Sequence, residues 1–119
     1  MKADYKKLFK IFAVIIGIIA VFDLIDFFVH GLSPNYSVPD YYYKNKAIYG
    51  TLFAFVTYLF VQKKVAFTKA LIVSGATSVL LQMNYLISGY PLDFVLEFLF
   101  IHFFILLPVS WLAFKYILK

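Results

Sequence analysis

Asp23, Asp26 and His30 stand at i, i+3 and i+7. At about 100° per residue that spacing puts two carboxylates and an imidazole on one face of a helix. Such a set could bind a divalent cation, relay a proton or hold a ligand. The residues around them are apolar, and a charged side chain inside a spanning helix costs about 2.5 to 3.5 kcal/mol on insertion scales. These side chains must therefore face inward or toward a partner. Asp93 and Glu97, four apart, share a face further along the chain. Counting about 1.5 Å per residue from the nearest helix end puts Asp26 roughly 6 Å, Asp23 roughly 10 Å and Glu97 roughly 8 Å below one membrane boundary. Gln82 and Asn84 fall at similar depth, and Ser74, Ser78 and Gln82 form an i, i+4, i+8 row.

Asp23, Asp26, His30, Gln82 and Glu97 are thus the candidate ligand or partner contacts, arranged as an outward-facing polar pocket between the first, third and fourth helices. The nearest positive residues, Lys44 and Lys46, fall in a loop on this reading. Compensation for the carboxylates would then come from a bound cation or a partner chain. The plainer reading of Asp23, Asp26 and His30 is a helix end solvated by headgroups and water, and no metal is assigned to the chain. His102 reads as a hydrogen-bonded packing residue. Cysteine is absent, which excludes disulfides, thiolate ligands and cysteine nucleophiles. No phosphate-binding glycine loop, zincin motif or paired nucleophile and base occurs, so the chain is not expected to be an enzyme by itself.

The elements that must position these residues follow from composition. Of 119 residues, 64% are hydrophobic and 14% charged, against about 25% charged in a soluble domain. Spans of roughly 20 residues with short connections fit four to this length. The expected fold is a single all-α membrane domain, 1–119, built as a bundle of four transmembrane helices at about 8–30, 46–62, 65–88 and 92–114. Gly31, Pro34 and Pro39 end the first, and its length exceeds a signal-peptide core, so it reads as a retained helix. Tyr41, Tyr42 and Tyr43 suit an interfacial aromatic belt. Lys69 can snorkel to the surface, and Pro108 is expected to kink the last helix.

Nine lysines lie at the two termini and the second connection, against Lys44 and Lys46 on the other side. The positive-inside bias then puts both termini in the cytoplasm and the 31–46 loop outside, in a multi-pass cell-membrane protein. The net charge of +5 comes from lysines at the ends of apolar runs and does not indicate nucleic acid.

The lysine-rich start MKADYKKLFK, the acidic FDLIDFF segment of the first helix and the short four-helix body resemble the small X subunit of archaeal ammonia monooxygenase. The resemblance covers most of the chain at the level of layout. It implies a non-catalytic structural subunit among other membrane-protein subunits and lipid. The complex would be a copper-dependent monooxygenase with copper on partner subunits, no cofactor in this chain and no site residue carried over. The alternative is a self-contained binder or transporter of a lipid, amine or cation that uses the acidic pocket.

Overall fold

The computed structural model describes residues 4–118. Four α-helices, α1 (Tyr5–His30), α2 (Tyr41–Val61), α3 (Ala66–Ile87) and α4 (Leu92–Tyr116), run up and down, with a 3-10 turn η1 (Pro34–Tyr36) in the first connection. Each helix packs against two neighbours, in the ring α1–α2–α3–α4–α1, and the α3–α4 contact is the most extensive. Among the described residues, α1, α3 and α4 are long and apolar enough to cross a membrane. This is therefore an all-helical protein with the features of a membrane protein.

Local chemistry explains the boundaries. The Asp4 carboxylate accepts from the Lys7 N–H at 3.1 Å and caps α1, which starts three residues earlier than expected. Ser33 caps η1 through Asn35 N–H at 3.2 Å, with Pro34 in the first turn. Pro39 and Asp40 open α2, their carbonyls accepting from Tyr42 and Tyr43. Hence α2 begins at Tyr41, ahead of the expected start at residue 46. Gly89, at φ +100°, ends α3, where the Tyr90 N–H returns to Tyr85 O at 3.1 Å. Pro108 does not interrupt α4.

The core is built from rows spaced four apart. On α2 the buried row is Tyr42, Lys46, Gly50, Ala54 and Tyr58; on α4 it is Phe94, Phe98, His102, Leu106, Ser110 and Phe114. Such i±4 ridges are what helices present to one another in close packing. Gly50 lies on the α2 row that faces α1 and α3, where a Cβ would meet Ile19 at 3.5 Å and Leu81 at 3.8 Å, ordinary contact distances. Of the tyrosine triplet, Tyr41 is exposed, Tyr43 half-buried and Tyr42 buried, so only part of it could serve a belt.

At the end of the bundle where the termini lie, Lys69 is buried. It donates to Tyr58 Oη at 3.0 Å and to the Leu118 carbonyl at 3.2 Å, with its ammonium 4.9 Å from the Tyr58 ring centroid. The expected escape of Lys69 to the surface is replaced by this internal contact, because two acceptors and an aromatic face already meet it within the core.

Candidate functional site

Near the η1 end, three helices aim nitrogen atoms at one oxygen. Asp26 of α1 is fully buried, and its Oδ2 lies 2.9 Å from His30 Nε2 and 3.1 Å from His102 Nε2 and accepts from the Lys46 ammonium. Lys46 is also 3.7 Å from Asp23 Oδ1. Asp26 Oδ1 and Asp23 Oδ1 have no hydrogen-bond partner among the described residues.

Lys46 overturns the expectation that no lysine reaches the carboxylates. With α2 starting at Tyr41, Lys46 lies roughly 8 Å along the helix, close to the roughly 6 Å depth of Asp26 counted from His30. It also stands four residues from Tyr42 and from Gly50, on the buried row. The side chain therefore enters the bundle. Its ammonium sits 4.4 Å from the Tyr42 ring centroid and 5.3 Å from those of Phe22 and Tyr43. Aromatic faces stabilise a desolvated cation by about 2 kcal/mol.

Ring packing fixes the imidazoles. His30 lies flat on Phe98, centroids 4.2 Å apart and planes 6° from parallel, and Phe22 meets His102 edge-on at 5.1 Å. His30 Nδ1 is 2.6 Å from the Tyr36 carbonyl oxygen, which can only accept, so Nδ1 carries a hydrogen. In the neutral ring Nε2 would then point a lone pair at the carboxylate. The Lys46 ammonium, on the same oxygen, supplies positive charge beside that lone pair.

Of the four clustered residues, His30 borders the open groove of about 490 Å³ that Phe27, Leu32, Asp40 and Tyr43 also line. A second cleft, about 530 Å³, runs between η1 and α4, lined by Ser33, Asn35, Tyr36, Asp93 and Glu97. Tyr90 also lines it, with its phenol raised above the ordinary range first by burial and then by Tyr41. His30 thus touches the first groove directly and the second through the Tyr36 carbonyl.

The five sequence candidates do not form one pocket. Asp23, Asp26 and His30 come together as their spacing implies. Glu97 is exposed, because Phe94, Phe98 and His102 occupy the inward row of α4. Gln82 is buried but donates to the Val95 carbonyl at 2.7 Å, tying α3 to α4. The pocket expected between helices one, three and four is instead a cluster of α1, α2 and α4. His102 and Lys46 are the members that sequence reasoning missed, and their signal was the four-residue rows they complete.

No protein-family profile matches the chain, and neither a curated protein nor a solved structure does.

Proposed function

We propose that the chain is a self-contained multi-pass protein of the cell membrane that takes up a cation at Asp26 from the η1 side. In this reading α2 is the fourth span: its 21 residues are about 31 Å long, against a hydrocarbon core of about 30 Å. Of its two lysines, Lys46 is neutralised inside the bundle and Lys44 is exposed in the first turn. Both termini are cytoplasmic and the η1 connection is external, supported by the nine-to-two distribution of lysines. Lys2 and Lys119, two of the nine, lie outside the described residues.

The observation that carries the proposal is the convergence of three nitrogens on Asp26 Oδ2, directly behind a histidine that borders an open groove. Apolar side chains can hold a bundle together without the desolvation cost of buried ions. Ionisable groups inside a membrane protein mark ion or proton pathways. His30 is built for transfer, with one ring nitrogen toward η1 and the other on the carboxylate. The Lys46 amine and both imidazoles are already engaged at Asp26 Oδ2, so the reading is uptake.

An accessory role in a larger membrane complex, including the monooxygenase arrangement with copper on partner subunits, is the second reading. Its support is the exposed aromatic surface of adjacent α1 and α4, including Phe27, Phe28, Phe100 and Phe104, which another subunit could cover. The argument from uncompensated carboxylates no longer supports it, since Lys46 supplies the charge. Purification in mild detergent separates the two. A monodisperse protein whose thermal midpoint responds to protons, ammonium compounds or divalent cations, and stops responding in Asp26→Asn, supports uptake. Co-migration with larger proteins, with no cation response, replaces it with the accessory role.

A further inference from the structure

We propose that Asp26, His30 and His102 form a three-ligand site for a divalent transition metal, and that Lys46 is a tethered cation which the metal displaces onto Asp23. The inference rests on the cation-uptake reading and specifies its ligand.

The donor atoms of the three residues all lie within 4.8 Å of one another. Metal–ligand bonds of about 2.0 to 2.1 Å at tetrahedral angles separate neighbouring ligand atoms by about 3.3 Å. The observed separations from Asp26 Oδ2, 2.9 Å to His30 Nε2 and 3.1 Å to His102 Nε2, need to open by only a few tenths of an ångström. Asp26 Oδ1, buried and without a partner, is free to share the ion.

The surroundings of His30 point the same way, whereas His102 Nδ1 has no hydrogen-bond partner among the described residues. A metal-bound histidine typically donates its other ring N–H to a backbone carbonyl or carboxylate, which fixes the tautomer. His30 already does so, through Nδ1 to Tyr36 O at 2.6 Å, and stacking on Phe98 holds the ring plane. That tautomer turns the Nε2 lone pair toward Asp26. A metal ion beside Asp26 would take that lone pair without any other rearrangement of His30. Two imidazole nitrogens with one carboxylate suit Zn²⁺, Co²⁺, Ni²⁺ or Cu²⁺, whereas Ca²⁺ and Mg²⁺ require oxygen-rich shells.

Lys46 is the obstacle and also the device. Its ammonium shares Asp26 Oδ2 with both imidazoles, so a metal cannot enter while it stays. Asp23 provides the second seat: its Oδ1 is 3.7 Å away and otherwise unpartnered, on the same face of α1. A shift of about 1 Å converts that ion pair into a hydrogen bond of normal length. Afterwards Lys46 and Asp23 neutralise each other, while Asp26 offsets part of the metal charge. Metal entry therefore exchanges one cation for another at Asp26, while Lys46 stays in the bundle on Asp23 and the metal adds its own charge.

The full chain in detergent, stripped with chelator and titrated with Co²⁺, tests both parts. One equivalent is expected to bind with the visible absorption of a low-coordinate cobalt centre, to be displaced by Zn²⁺ and to raise the thermal midpoint. Asp26→Asn and His102→Gln should each weaken binding at least about tenfold, comparable to or beyond the loss of a supporting contact. Lys46→Gln should tighten it, because the competing charge is gone. Asp23→Asn should weaken it although Asp23 is not a ligand, an effect that a merely structural carboxylate would not produce. Asp23 is only partly buried, so this variant is expected to fold even if those at Asp26 do not. Co²⁺ binding indifferent to both Asp23→Asn and Lys46→Gln overturns the exchange. A protein that responds to protons or alkylammonium ions but not to Co²⁺ or Zn²⁺ overturns the metal site and leaves cation uptake standing. Indifference to every cation removes both.

Discussion

Lys46 and Asp26 come from different helices, twenty residues apart in the chain, and each is wholly buried against the other. Removing one member leaves a buried charge without its nearest partner, whereas removing both takes that charge out and leaves only the weaker contacts of His30, His102 and Asp23 unmet. Asp26→Leu and Lys46→Met should each cost about 3 to 5 kcal/mol, and the double variant should recover most of that loss. Reversible unfolding in mixed micelles measures the cycle. Strict additivity would mean that the two charges do not depend on each other.

The topology can be read with single cysteines, since the chain has none of its own. A cysteine at Asn35, in η1, should react with an impermeant reagent added outside sealed cells. One at Lys63, in the α2–α3 turn, should react only after the membrane is opened. Labelling of Lys63→Cys from outside would reverse the orientation and put the His30 groove on the cytoplasmic side.

Lys69 predicts an effect at the opposite end. Lys69→Met deletes the donor to Tyr58 Oη and to Leu118 O and so releases the tail of α4. Two lost bonds to a charged group, at about 1.5 to 3 kcal/mol each, set the upper bound of the cost. The expected readout is faster amide exchange around residues 113–118, with the Asp26 cluster unaffected. Uniform loosening of the whole bundle would show instead that Lys69 supports the fold globally.

How much of this was legible beforehand depended on the kind of residue. The long apolar runs of α1, α3 and α4 announce helices directly, and the i, i+3, i+7 spacing of Asp23, Asp26 and His30 correctly groups them. Lys46 was misread because lysines beside an apolar run usually mark its end. The Pro39-Asp40 pair, a helix start signal, was the clue that the helix begins earlier. His102 was taken singly, although its spacing from Phe94 and Phe98 already fixed its face. The inward turn of Gln82 toward Val95 O, and the exposure of Glu97, depend on how α3 and α4 are rotated against each other. Nothing local in the sequence encodes that rotation.

The position of Lys46 also bears on how the protein is made. Of the four described α-helices, α2 is the one long enough but not apolar enough to count as a candidate span. A lysine in such a segment opposes entry into the bilayer by about 2.5 to 3.5 kcal/mol. The chain order relieves this, because Asp26 is synthesised twenty residues before Lys46. On the proposed four-span reading, a nascent α1 held at the translocon can offer its carboxylate as α2 emerges, and the two helices would enter as a hairpin. His102 arrives 76 residues after Asp26. Its imidazole reaches the carboxylate only when the last helix has been delivered, which makes that contact a mark of completed biogenesis.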